Sequence, residues 1–232
     1  MRIKPFHALR QDSRAVDQVA SKAVANLTND EAMTIINDNN KSFLRIKQSE
    51  SDQVINEFLD EGWLIKEQKA SYYIYRLIDE EKDESYFGIV GAVSAKEISR
   101  GQKEDSKKTE KMKQLVATIQ AYPVLPILTY PEHSHIADCI TEARAKKLPI
   151  ASFDEEDGTN HCIWRVNDEE SIERITQCFE VDDNPFTVAK GHDLLAAAEA
   201  FPTADGYIPV MIFSEETDIF KNVLDGLFLY DI

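Results

Sequence analysis

With 232 residues, 43% of them hydrophobic, the chain is long enough to bury a sizeable core as one large domain or two small ones. Its 42 acidic and 26 basic residues give a formal net charge of −16 at pH 7, which disfavours binding to nucleic acid and to anionic membranes. No run reaches the roughly 18 apolar residues that span a bilayer, and residues 1–10 lack a signal-peptide core, so we predict a cytoplasmic protein. The cysteines Cys139, Cys162 and Cys178 lack the C-x-x-C spacing, so we expect reduced thiols.

The first half of the chain predicts two helices followed by strands. Residues 28–39 open with the capping-box pattern of Thr28 and Glu31, which is typical of a helix N-terminus. Residues 51–61 place apolar side chains on one helical face. Strands are predicted at 63–67, 72–78 and 86–94, and the charged loop 79–85 suggests that the last two form a hairpin.

The second half of the chain interleaves helices and strands. Residues 106–122 form the clearest helix, with one apolar stripe and faces rich in Lys and Glu. Further helices are predicted at 134–147, 168–179 and 192–201. Strands are predicted at 124–130, 150–153, 161–166, 186–189, 207–213 and 227–230. Because these elements follow no strict βαβ rhythm, we predict an α/β (α+β) fold in which helices pack on a mixed sheet.

The domain organisation follows from the scarcity of linkers. No segment rich in Pro, Gly or Ser divides the chain. We therefore predict a single domain over residues 1–232, and a subdivision into 1–130 and 131–232 stays open.

Several sequence blocks, spread in order over almost the whole chain, resemble one protein family. They are residues 3–10, 40–46, 73–76 and 88–94, and the hairpin residues Phe153, Asp154, Gly158, His161, Trp164 and Arg165. In this order they are similar to the blocks of the domain of unknown function family 1015. The resemblance implies a ParB- or sulfiredoxin-like arrangement in the C-terminal half. Some domains of that kind bind nucleotides or act as small-molecule kinases.

The most distinctive segment of this family is an Ala-Asp-Gly-His-His-Arg-Tyr turn that leads into a helix. Such a turn suits a phosphate, because glycine lets the backbone approach, the helix N-terminus offers N–H groups, and arginine clamps the anion. In this chain Gly191 and His192 match, whereas Lys190, Asp193 and Leu194 replace Asp, His and Arg. The arginine fork is lost and a negative charge is added.

Two further family segments are also altered. Ser106 and Lys107 stand where the family carries His-Glu, and only Gly101, Thr109 and Lys113 match around them. A Pro-Pro-Tyr-Asp turn is replaced at residues 21–24, and typical members are longer than this chain. The comparison with the family therefore predicts a retained scaffold with an eroded site.

Two functional hypotheses follow. The first is a non-catalytic binding or regulatory protein, and this hypothesis allows it to act as a homodimer. It carries a weak site for a small-molecule anion or nucleotide at Lys190, Gly191, His192 and Asp193. The alternative is a nucleotide-dependent phosphotransferase that acts on a small molecule such as free serine. No cofactor or metal is expected, and no Ser-His-Asp, G-x-S-x-G or Walker pattern supports another enzyme class.

Each candidate site also has a plain structural interpretation. The turn at Gly191 can be an ordinary strand-to-helix joint. His133, His135 and Asp138 suit either a metal or, as we expect, a solvated loop. The acidic stretch 154–158 predicts a hairpin tip rather than a cation site. Lys103, Lys107, Lys108, Lys111 and Lys113 alternate with acidic residues, as on a solvated helix face.

Overall fold

The structure is a computed structural model of the chain. It describes residues 2–20, 28–47, 51–79, 84–99, 106–119, 121–122, 124–131, 134–155, 158–181, 185–200, 206–214, 223 and 227–231.

The described helices agree with the predicted ones to within a few residues. They are α1 (Val16–Val19), α2 (Asn29–Asp38), α3 (Ser51–Asp60), α4 (Ser106–Ile119), α5 (Ser134–Ala145), α6 (Glu169–Glu180) and α7 (His192–Ala200). The capping box that opens α2 is present, since the Thr28 hydroxyl accepts from the Glu31 N–H and the Glu31 carboxylate accepts from the Thr28 N–H. The four-residue helix α1 was not predicted.

The described strands include the predicted ones and several very short additions. They are β1 (Ile3–Lys4), β2 (Leu9–Gln11), β3 (Leu64–Lys66), β4 (Tyr72–Asp79), β5 (Glu84–Ser94), β6 (Ile98–Ser99), β7 (Ala121–Tyr122), β8 (Ile127–Tyr130), β9 (Ala151–Asp154), β10 (Thr159–Val166), β11 (Phe186–Lys190), β12 (Tyr207–Ser214) and β13 (Phe228–Asp231). The predicted hairpins are present, as β4 pairs with β5 and β9 with β10, both antiparallel.

The main sheet is mixed. In the described part of the chain its strands run in the order β6-β11-β8-β12-β5-β4-β10-β9, and β1 pairs with β5 beyond the end of β4. Strand β12 is parallel to β8 and β11 to β6, whereas the other neighbours are antiparallel. A smaller sheet has the order β3-β2-β13-β7. The predicted α/β fold with a mixed sheet is therefore confirmed.

The main sheet is buried on both faces, as its central strand β4 shows. Successive side chains of a strand point to opposite faces. Tyr72 and Ile74 belong to a cluster that includes residues of α4, α5, α6 and α7. Tyr73 and Tyr75 face a second cluster, which includes Val16 of α1. All four side chains of this run are 0% exposed, which explains why β4 shows no simple polar alternation.

Strands from either side of residue 130 pair within the main sheet, β10 with β4 and β12 with β5. A single domain over residues 1–232 stays a prediction, which a single cooperative melting transition would test. Among the described helices, none is both long and apolar enough to cross a bilayer.

The expectation of reduced thiols is wrong for two of the cysteines. Cys139 on α5 and Cys178 on α6 form a disulfide, and Cys162 is a buried free thiol. The packing of α5 against α6 brings together two residues that are 39 positions apart, which no local spacing indicates.

Candidate functional site

The turn at Gly191 joins strand β11 to helix α7, as predicted. Gly191 has φ +93°, a conformation that favours glycine, and a Cβ at this position would lie 3.0 Å from the Pro126 Cα atom. Its carbonyl accepts hydrogen bonds from the Leu194 and Leu195 N–H groups, so the helix starts directly after it. The chain therefore makes a tight strand-to-helix turn at the position of the family motif.

The strand before the turn, predicted at residues 186–189, is covered on one face only. Phe186 and Val188 are buried, but Thr187 and Ala189 are exposed, because β11 presents only one face to the core. A run of apolar and small residues does not distinguish one covered face from two.

The predicted site residues lie together at the start of α7. Lys190 ends β11, His192 begins α7, and both are half-buried. Asp193 in the first helical turn accepts a hydrogen bond from the Thr109 hydroxyl of α4 at 3.1 Å. Thr109 is 7% exposed. The two segments singled out by the resemblance, 84 residues apart, are thus in contact.

The position of the family's arginine is part of the core. Leu194 is 1% exposed and packs in the cluster on the helix-covered face of the main sheet, together with Ala197 and Ala198 of the same helix. Asp193 meanwhile places a carboxylate at the positive end of the α7 dipole, a favourable position for a negative charge. The start of α7 therefore already carries a carboxylate, that of Asp193, and lacks the arginine.

The remaining family segments are only partly visible. Ser106 begins α4 and Lys107 is exposed on it. Gly101 and residues 21–24 lie outside the described residues.

Of the three residues considered for a metal, the structure describes His135 and Asp138 but not His133. His135 Nε2 lies 3.2 Å from the carbonyl oxygen of Cys178, which links α5 to α6. Asp138 is exposed, and His133 lies outside the described residues. Within the described part of the chain, no three His, Cys, Asp or Glu side chains are close enough to hold a metal ion.

The acidic stretch after β9 makes contacts within the protein. The Asp154 carboxylate accepts from the Asn160 amide at 2.6 Å, and the Glu155 carboxylate lies 3.1 Å from His161 Nε2. Residues 156–157 are outside the described set.

The lysines of α4 at positions 107, 108 and 111 are exposed, whereas Lys103 is not described.

A buried histidine network was missed by the sequence analysis. His161 is 0% exposed, and its Nδ1 lies 2.6 Å from the Tyr75 hydroxyl. Its ring stacks on Phe153 at 5.0 Å between centroids. His161 and the buried Ile163 lie two residues apart on β10 and therefore share a face, and this period of two is the signal that could have placed His161 on a buried face.

A second buried network joins two family-like blocks. Glu67, 7% exposed, pairs with Arg10 Nε and with an Arg165 terminal nitrogen, each at 2.7 Å. The neighbouring Tyr73 hydroxyl is buried, and burial raises the pKa of this phenol to about 12. Residues 3–10 and the hairpin that contains Arg165 are therefore linked by internal ion pairs through Glu67.

The fold defines a mixed α/β protein with a retained glycine turn and an arginine-free helix start. Residues 3–206 match the family described as Protein of unknown function (DUF1015). Since the match covers most of the chain, the chain belongs to this family. No curated protein and no solved structure matches it.

Proposed function

We propose that this chain is a non-catalytic binding or regulatory member of its family, in which the turn at Gly191 is retained as a structural joint. The observation that carries the proposal is the burial of Leu194, 1% exposed, at the position where the resemblance places a phosphate-clamping arginine. A position recruited into the core is not available to a ligand.

The electrostatics of the helix start support the same proposal. An anion at the N-terminus of α7 would meet the Asp193 carboxylate, which Thr109 holds by a hydrogen bond. A hydrogen bond from a charged donor contributes about 1.5–3 kcal/mol, so loss of the arginine weakens phosphate binding by about ten- to a hundredfold. Lys190 supplies one positive charge, but without a planar fork.

The alternative function, a phosphotransferase on a small molecule such as free serine, rests on one observation. The positive φ of Gly191 and the helix that follows it are the backbone features that a phosphate site needs. What this function would still require is a group to neutralise the transferred phosphate.

Calorimetry with ATP and magnesium tests the proposal. We expect no binding that depends on the turn, so the wild type and the variant Lys190→Gln should give the same isotherm. A micromolar ATP affinity that falls in Lys190→Gln would overturn the proposal. ADP release upon addition of serine would establish the phosphotransferase.

A further inference from the structure

Four side chains form a row across four strands of the main sheet, away from the Gly191 turn. The register pairs Ser152 of β9 with Cys162 of β10, Cys162 with Arg76 of β4, and Arg76 with Phe87 of β5. Directly opposed residues share a face. Cys162 belongs to the cluster beneath α5 and α6, and Phe87 packs against it, so this row lies on the helix-covered face.

Two guanidinium groups converge on this row. The Arg76 Cζ atom lies 5.5 Å from the centre of the Trp164 ring. The Arg144 Cζ atom, which α5 supplies, lies 5.7 Å from the same ring and 4.5 Å from that of Phe87. Both arginines are half-buried. We call Arg76, Phe87, Arg144 and Trp164 the arginine platform.

The positive charge of the arginine platform lacks a direct carboxylate partner among the described residues. Within the described part of the chain, neither Arg76 nor Arg144 has a carboxylate within ion-pair distance, although Arg10, Arg45 and Arg165 do. This contrast is notable in a chain with 42 acidic residues.

One buried donor of Arg76 lacks a partner among the described residues. A terminal nitrogen of Arg76 donates to Asn160 Oδ1 at 3.0 Å, and Asn160 in turn donates to the exposed Asp154 at 2.6 Å. The Nε of Arg76 is buried and has no partner among the described residues. Cys162 does not supply the missing negative charge, because burial raises the pKa of its thiol.

We propose that the arginine platform is a binding site for a small oxyanion, a phosphate or carboxylate group of a metabolite. Each cation–π contact offsets only about 0.5–1 kcal/mol, less than the cost of partly desolvating a guanidinium group that has no anionic partner. An oxyanion bound by the terminal N–H groups of the two guanidinium groups would neutralise their charge. The ring of Trp164 forms one wall of the site.

This site goes beyond the proposed function and is independent of the Gly191 turn. The platform is built from β4, β5, β10 and α5, whereas the turn joins β11 to α7. The loss of phosphate affinity at the turn therefore does not predict whether the platform binds an anion.

Tryptophan fluorescence tests the platform directly. The chain has two tryptophans, so the variant Trp63→Phe leaves Trp164 as the reporter. In this background we would titrate inorganic phosphate, pyrophosphate and citrate at constant ionic strength, with chloride as the balancing anion. We expect a saturable change in the emission of Trp164, and the comparison of phosphates with citrate distinguishes phosphate from carboxylate chemistry.

Variants of Arg144 test whether the arginines of the platform bind the anion. We expect both Arg144→Gln and Arg144→Lys to weaken anion binding at least tenfold. Glutamine removes the positive charge, and lysine keeps the charge but loses the planar fork of donors. The matched control Arg14→Gln removes an 84% exposed arginine that pairs with Asp12 and should change nothing. Absence of saturable binding, or equal affinity in the Arg144 variants, would overturn the proposal. Loss of binding in Lys190→Gln instead would place the anion at the Gly191 turn and would refute both proposals.

Discussion

Restoring the family turn is expected to unfold the protein rather than to restore a site. The restoring variant combines Lys190→Asp, Asp193→His and Leu194→Arg. Lys190 and Asp193 are half-buried, but Leu194 is 1% exposed within the core beneath α7. The third substitution therefore determines the outcome.

The expected loss in the free energy of unfolding follows from the burial of Leu194. Loss of a fully buried leucine side chain costs about 1.5–3 kcal/mol. An unpaired buried guanidinium adds an effective penalty of several kcal/mol. Because domain stabilities are about 5–15 kcal/mol, Leu194→Arg should remove most of the free energy of unfolding. By contrast, Asp193→His loses the Thr109 hydrogen bond and a helix-dipole contact, each worth about 1 kcal/mol.

Urea unfolding followed by circular dichroism measures these differences. We expect the double variant Lys190→Asp/Asp193→His to keep a cooperative transition at a slightly lower midpoint, and Leu194→Met, a volume-conserving control, to lose less than about 1.5 kcal/mol. The reasoning is refuted if the triple variant unfolds at the midpoint of the double variant. Leu194 would then not be anchored in the core, and the phosphate affinity of the triple variant would test the turn directly.

Three further predictions concern the backbone, a helix cap and the disulfide. Gly191→Ala should destabilise the fold by about 1–3 kcal/mol, because φ is +93° and the added methyl group meets a proline; an unchanged melting temperature would contradict this. The hydrogen bond from Lys147 is the main reason why the pKa of the Asp168 carboxyl lies well below its usual range. This stabilisation is present above the unfolded-state pKa of about 3.9 and is lost as the pH falls below it. At pH 7, Asp168→Asn should therefore lower the free energy of unfolding, by at most about 1 kcal/mol because the group is half-exposed. The difference in melting temperature between wild type and variant should become smaller below about pH 3.9. Reduction of the Cys139–Cys178 bond should lower stability by about 2–4 kcal/mol, and titration of the denatured chain should find one free thiol before reduction and three after it.

Local signals account for most of the helices and for the turn. The capping box at Thr28, which was predicted, and the Asp168 cap, which accepts from the Ser171 N–H at 2.9 Å, are each defined within four residues. The same holds for Gly191, since a positive φ between a strand and a helix is a local requirement. The two- and three-residue strands β1, β2, β6 and β7 were missed because they are too short to show a period and exist only through their partners.

The sequence by itself determined the class of fold, the position of the glycine turn and the loss of its arginine. Only the tertiary structure decided what replaced that arginine, because the burial of Leu194 depends on the sheet that α7 covers. It likewise decided that Asp193 meets Thr109 and that His161 meets Tyr75, pairs that are 84 and 86 residues apart. A helix or a cap is a property of neighbouring residues, whereas a contact between distant segments depends on how sheet and helices pack, and no local pattern contains that information.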